Sequence, residues 1–163
     1  MKFETERLQI REFIDNDIGD LYHLLSDSEV MEYCEGSLNY TESQIWLQSI
    51  KKYYSRIGYD YWFALEKATG EFVGQMGIIQ QEIDGEWIDC IAFIICKDKW
   101  GKGYATEGGN GCIKYALEVL KLKKLYATVE KENKASKKVL EKLGMNYERE
   151  TICFNRKIDL YSM

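Results

Sequence analysis

The sequence predicts one α/β (α+β) domain over residues 1–163, a mixed, mostly antiparallel splayed sheet flanked by helices. Three observations carry this. β-rich segments fill the middle of the chain as a meander. A glycine-dense turn, "KDKWGKGYATEGGNG" from Lys97 to Gly111, hands the last of them to a long helix. Beyond it, helix and strand alternate. The length of 163 residues suits a single core, and the chain has no proline, low-complexity run, internal repeat or linker to divide it.

The elements follow in order. "RLQIREF" alternates apolar and polar residues, as a half-buried strand does. "DNDIGDLYHLLSDSEV" opens on Asn/Asp capping residues and carries a helical stripe at Ile18, Leu21, Leu24 and Leu25. "TESQIWLQSIKKYYSRIG" predicts a helix capped by Thr41, with helical spacing at Ile45, Trp46, Ile50 and Tyr53 and a stop at Gly58. "YWFALEK", "EFVGQMGIIQ" and "EWIDCIAFIIC" are strands separated by the turns "KATGE" and "EIDGEW". A helix is expected from about Tyr104 to Leu120, a strand at "KLYATVE", a short helix at "NKASKKVLEKLG" stopped by Gly144, and final strands at "MNYERETICF" and "RKIDLYS".

Composition narrows the class. Apolar residues at 45% and charged residues at 30% describe ordinary globular material rather than a disordered chain. No run of eighteen apolar residues marks a transmembrane helix. The start, "MKFETERLQIREF", has charges where an export signal has an apolar core, so a cytoplasmic location is expected. The five cysteines are scattered without CxxC spacing and read as free thiols, and with His23 as the only histidine no metal site is expected. The net charge of −5 divides unevenly: residues 1–90 carry 7 basic and 18 acidic side chains, residues 91–163 carry 15 and 9. This reads either as two solvated surfaces, or as a first half that meets cations and a second that meets anions.

Gly101 and Gly103 stand between a predicted strand and a predicted helix. Glycine takes positive φ and admits a ligand close to the main chain. The first N–H groups of a helix lack intrahelical partners and lie at the positive end of its dipole, so this is an anion site suited to a pyrophosphate. Lys97, Lys99 and Lys102 add positive charge. The nucleotide signature G-x-x-x-x-G-K-(S/T) is absent, and Thr106 interrupts the dinucleotide fingerprint G-x-G-x-x-G. Gly108, Gly109 and Gly111 each cost roughly 1 kcal/mol relative to alanine inside a helix, which points to close backbone or ligand contact, with a frayed helix start as the alternative.

"WGKGYATEG" resembles the pyrophosphate motif of the GNAT acyltransferases, (R or Q)-x-x-G-x-(G or A), with Trp100 in the first position. Tryptophan followed by "GKGYATE" is similar to the branch related to the ribosomal-protein N-terminal acetyltransferases. "ETERLQIREFIDNDIGDLYHLLSDSEVMEY", "YWFALEKATGEFVGQMGI" and "VEKENKASKKVLEKLGMNYE" resemble that branch in the same order, over nearly the whole chain. The resemblance implies transfer of an acetyl group from acetyl-CoA, as cosubstrate, to a primary amine. It implies that the fourth and fifth predicted strands part to admit the pantetheine arm. Phe93, Ile94 and Ile95 would then meet that arm through backbone groups. Gly101, Lys102, Gly103, Tyr104, Ala105 and Thr106 would hold the pyrophosphate, and Asn133 would contact the cofactor while capping its helix.

The chemistry needs a neutral amine, although a lysine amine ionises near pH 10.4 and an α-amine near about 7.7–8.0. A proton must therefore leave, to a side chain or to water. The resemblance places Asp89 where the histone-modifying branch has its glutamate base; an exposed strand-end aspartate is the alternative. Glu82, Glu86 and Glu130 are weaker rivals, and His23 reads as a helix-face residue. Many family members have a tyrosine acid seven residues after the asparagine; here that position is Leu140, and the resembled branch points instead to Ser136. The basic last helix, with Lys131, Lys134, Lys137, Lys138 and Lys142, is mostly solvated surface, with one or two lysines available to the 3′-phosphate of CoA. The expected partner is a small-molecule or peptide amine, cationic in character (a protein N-terminus, a polyamine or an amino-sugar), with a homodimer as a further option and no nucleic acid or membrane. Residues about 28–60 are expected to shape its pocket. The alternative is a non-catalytic CoA-binding module.

Overall fold

The computed structural model describes all residues, Met1–Met163. The strands are β1 (Phe3–Glu4), β2 (Leu8–Arg11), β3 (Tyr61–Glu66), β4 (Phe72–Ile83), β5 (Glu86–Ile95), β6 (Tyr126–Glu130), β7 (Asn146–Cys153) and β8 (Arg156–Ser162). The helices are α1 (Ile18–Leu25), α2 (Tyr40–Ile57), α3 (Tyr104–Glu118) and α4 (Lys134–Lys142). All eight strands form one sheet in the order β1-β2-β3-β4-β5-β6-β8-β7. Every pairing is antiparallel except β5 with β6, which is parallel and consists of the single pair Cys90↔Tyr126. The predicted architecture is therefore observed, with the short β1 added at the edge beside β2.

Strand alternation sorts the sheet's side chains into two cores. Trp62, Ala64, Met76 and Ile78 join Leu8, Ile10, Cys112, Ala116 and Leu140 on the side of α3 and α4. Phe63 and Ile94 join Phe13, Leu21, Leu24, Leu47 and Ile50 under α1 and α2. Full burial of side chains such as Leu8, Leu21 and Ile78 contributes about 1.5–3 kcal/mol each.

Local chemistry explains most element ends. α2 is capped two residues before the expected Thr41. Asn39 is the cap: its Oδ1 accepts from Glu42 N at 2.8 Å while Glu42 Oε1 accepts from Asn39 N at 3.1 Å. The earlier start lets Tyr40 meet Tyr22 edge-on, with centroids 5.4 Å apart. Gly58, at φ 90°, closes the helix as predicted. α1 is preceded by a 3-10 turn, Asp15–Asp17, and ends at Leu25, well short of Val30. Its acidic start has no side-chain cap, because the Asp17 carboxylate is taken by Arg11 at 2.7 and 2.8 Å. α3 ends at Glu118, slightly before the expected Leu120.

The helical glycines have a packing cause. A Cβ at Gly108 would lie 2.0 Å from Met76 Sδ, one at Gly109 2.8 Å from Leu143 Cδ1, and one at Gly111 2.4 Å from Phe3 Cε2. Close approach of the helix backbone to its neighbours is observed at all three. It seats α3 directly on β4. Gly108→Val therefore destabilises by about 1–3 kcal/mol through overpacking; thermal denaturation checks this, and an unchanged midpoint would show that α3 does not bear on Met76.

Candidate active site

The sheet splits where its one parallel pairing ends. Beyond Cys90↔Tyr126, β5 and β6 diverge, and a cavity of about 680 Å³ occupies the gap. Ile91–Ile94 line one side and Ala127–Glu130 the other. Trp46 and Tyr53 of α2, with Tyr33 and Glu35 before it, form a wall, so the expectation for residues 28–60 matches the cavity lining. The Thr128 hydroxyl and the Gln81 amide oxygen meet at 2.9 Å, linking β6 to β4. Arg156 of β8 ties the far rim: its Nη1 donates to the Cys34 carbonyl at 2.6 Å and pairs with Glu130.

The main chain of β5 is oriented by its other neighbour. Cys96 N donates to Val73 O at 2.9 Å, and Ile94 stands opposite Gln75. By strand alternation, Ala92 and Ile94 face β4, whereas Ile91, Phe93 and Ile95 turn their N–H and C=O groups toward the split. Of the three residues expected to meet the pantetheine arm by backbone groups, Phe93 and Ile95 present them, and Ile94 does not because its own are engaged with β4. The Ile95 carbonyl additionally accepts from Trp100 Nε1 at 2.9 Å.

At the end of β5 a 3-10 turn, Lys97–Lys99, leads into the glycine turn. Gly101 and Gly103 have φ of 71° and 82°, the left-handed region. No acceptor of the chain receives the N–H of Gly101, Lys102, Gly103, Tyr104, Ala105 or Thr106; the first bonded amide is Glu107, to Gly103 O at 3.0 Å. Side chains at the end of β3, in the turn after it and just before β2 hold this row in place. Lys99 is buried, its ammonium bonding Glu66 at 3.2 Å and also Glu71. The Tyr104 hydroxyl bonds Glu66 as well, and with Thr69 and Lys99 pulls that carboxyl down to about 2. Arg7 Nη1 donates to Lys102 O at 2.9 Å, its Nε to Glu107 at 2.6 Å, and its guanidinium lies 4.4 Å from the Tyr104 ring centre.

This corrects the expected charge around the turn. Lys99 is neutralised by carboxylates, and Lys97 pairs with Glu29 at 2.7 Å. Lys102 alone of the three has no ion pair. In the last helix Lys137 pairs with Asp159 at 2.6 Å and Lys131 with Glu150 at 3.6 Å, leaving Lys134, Lys138 and Lys142 exposed.

Asn133 caps α4, its Oδ1 accepting from Ser136 N at 3.2 Å. Both residues line the cavity, and the Ser136 hydroxyl bonds nothing in the chain. Asp89 is placed elsewhere. Strand parity turns it to the α3 side, where its Oδ1 accepts from the Tyr59 hydroxyl at 2.6 Å and Gln80 Nε2 at 3.4 Å, and it does not line the cavity. Glu82, Glu86 and His23 do not line it either, and Glu130 lines it paired to Arg156. The carboxylate that sequence reasoning passed over is Asp60, which lines the cavity, is only 8% exposed and forms no ion pair. Its one signal was its position, an acid between Tyr59 and Tyr61 directly before a strand. All five cysteines are free thiols, and no three His, Cys, Asp or Glu side chains are grouped to hold a metal. No helix is long and apolar enough to cross a membrane.

Comparison with known proteins agrees with this geometry. The sequence profile described as "Acetyltransferase (GNAT) domain" matches residues 7–146. Protein YkkB of Bacillus subtilis is 33% identical over 161 residues, covering 98% of this chain and 94% of that protein. A GNAT-family acetyltransferase from Bacillus anthracis has the same fold, with a TM-score of 0.81 at 27% identity, over 98% of this chain and 96% of the other. The fold recurs at 18% identity and a TM-score of 0.78 in a spermidine N-acetyltransferase from Vibrio cholerae, solved with CoA and spermine, over 96% of this chain and 95% of that one. With its split sheet, its row of bare amides and a family profile spanning most of its length, the chain belongs to the GNAT acetyltransferase family.

Proposed function

We propose that the protein transfers the acetyl group of acetyl-CoA to a cationic primary amine held in the α2-side half of the cavity. One observation carries the cofactor half: six consecutive unpartnered amides, Gly101 to Thr106, at the end of the strand that borders the split. Such a row, at a helix N-terminus beside Lys102, matches the needs of a diphosphate, since anionic acceptors make stronger hydrogen bonds and meet the positive end of the helix dipole. The outward amides of Phe93 and Ile95 continue that line into the split, where the pantetheine arm would lie. Asn133, at the cavity edge, would contact it from α4.

The acceptor half is acidic and aromatic. Glu35, Glu42 and Asp60 line it with Trp46, Tyr53 and Tyr61, and its one cation, Arg156, is matched by Glu130. Such a surface favours a cationic ligand over an anionic one. The spermine complex of the Vibrio cholerae protein supports the same acceptor class. Polyamines, protein N-termini and amino-sugars all satisfy this chemistry.

In this reading the neutral amine attacks the thioester carbonyl, and the Phe93 amide stabilises the oxyanion. Collapse breaks the C–S bond. Ser136, whose hydroxyl is free, carries a proton from the amine nitrogen to the departing thiolate. Asp89, held by Tyr59, is assigned no proton transfer.

Two variants test the halves separately. Gly103→Val forces a β-branched residue into positive φ and disturbs amides worth about 1.5–3 kcal/mol each to a charged ligand, so CoA affinity measured by calorimetry falls about 100-fold or more while the chain still folds. Full affinity in that variant would sink the amide assignment. Ser136→Ala lowers kcat about 100-fold with CoA affinity retained; an unaltered kcat removes the hydroxyl from the scheme. Wild-type protein that takes up CoA but acetylates nothing in a panel of polyamines, amino-sugars and N-terminal peptides would point to a binding module instead.

A further inference from the structure

We propose that Asp60 receives the ammonium of the acceptor and takes its proton. The proposal rests on the acetyltransferase reading and adds to it the residue that generates the attacking amine.

Geometry comes first. Asp60 lies at the junction between α2 and β3 and lines the cavity. One oxygen accepts from Tyr61 N at 2.7 Å, the only hydrogen bond the carboxylate makes within the chain. The titratable groups that feel its charge are Tyr54 on α2 and Tyr61 on β3, whose hydroxyls burial, with Asp60 adding to it, pushes up. Glu35 and the Glu130–Arg156 pair share the cavity, and no cation of the chain neutralises Asp60. A carboxylate this enclosed and this poorly matched is costly unless a cation arrives from outside.

The sheet then provides a path. Tyr61, Gly77 and Ala92 are register partners across β3, β4 and β5, on the face that looks toward α2. Gly77 has no side chain, and a Cβ there would lie 2.2 Å from the Asp60 carbonyl oxygen. The absence lets the Asp60 backbone press against β4 with its carbonyl over Gly77, and beyond it Ala92 contributes only a methyl before the split. Two interstrand steps make this lane about 10 Å long. Trp46 and Tyr61, stacked with centroids 6.0 Å apart, offer a ring surface beside it for an ammonium.

Energetics agree. Burial pushes the Asp60 carboxyl up to about 7, and the single Tyr61 amide does little to lower it. A proton acceptor poised there operates near neutrality.

The step balances. Asp60 carboxylate takes one proton from R–NH3⁺, water in the lane carrying it over the remaining distance, and leaves Asp60–COOH and R–NH2. The amine forms the C–N bond, and collapse of the resulting oxyanion then breaks the C–S bond. Its second proton reaches the thiolate through Ser136, and Asp60 returns its proton to solvent.

The experiment compares wild type, Asp60→Asn, Asp60→Glu and Asp89→Asn in acetyl transfer to the amine panel across pH 5.5–9, with CoA affinity measured in parallel. Asp60→Asn is expected to lower kcat/KM about 100-fold, to abolish the acid limb with its midpoint near pH 7, and to keep CoA affinity; Asp60→Glu restores the limb. An Asp60→Asn enzyme with an unaltered limb, or loss of the limb in Asp89→Asn alone, overturns the assignment. Wild-type protein that takes up no CoA would sink the acetyltransferase reading itself. A stability measurement applies whatever the acceptor. A carboxyl raised from 3.8 to about 7 binds its proton more tightly folded than unfolded, so it opposes folding increasingly from about pH 4 to about pH 7 and constantly above. Asp60→Asn therefore raises the melting midpoint by several degrees at pH 8 and by less at pH 5. A gain that does not change with pH overturns the enclosed, unmatched carboxylate on which the proposal stands.

Discussion

Two adjacent parallel strands that share only one residue pair impose the constraint on which the rest of this molecule depends. Past Cys90↔Tyr126, β5 keeps its bonds to β4 on one edge and has an unpaired edge on the other. Unpaired main chain in a protein interior is costly, so a persistent gap of this kind calls for a ligand that completes it. The glycine turn follows directly from the same strand. It continues the row of free amides around the corner into α3, so strand edge and helix start form one hydrogen-bonding track.

That track is held by charges rather than supplying many of its own. Lys99 and Arg7 do not face the turn as free cations. They anchor it, through Glu66 at the end of β3, Glu71 in the turn that follows, and Glu107 and the ring of Tyr104 on α3. Rigid amides lose little freedom when they bind, which favours a preorganised anion site over a cluster of mobile lysines. The glycines divide the work accordingly. Gly101 and Gly103 give the backbone its left-handed path, whereas Gly108 removes a methyl so that α3 rests against Met76.

What was legible in the sequence was what depends on near neighbours. Alternation in "RLQIREF", the β-rich run "EWIDCIAFIIC", the Gly58 stop and the Asn133 cap are decided within a few residues, and each is observed. Partnerships over long separations were not legible. Lys99 meets Glu66 and Glu71, residues that no spacing rule connects to it. Asp89 shares a strand and a face with Phe93 at the split, yet its carboxylate is engaged by Tyr59, a partner that no local pattern connects to it. Asp60 carried no motif; its significance arises from burial and from the bare Gly77 beside it, both properties of the folded chain.

The two separate cores have a corollary. The wall formed by α1 and α2 packs against one face of the sheet, and the helices that follow the glycine turn pack against the other. In the proposed reading, side chains of α2 that face the acceptor pack mainly in the core under α1 and α2, whereas α3 and the turn before it rest on the other, with β5 shared between them. On that reading, exchanging an α2 side chain at the cavity alters which amine fits while the seat of α3 on Met76 stays as it is.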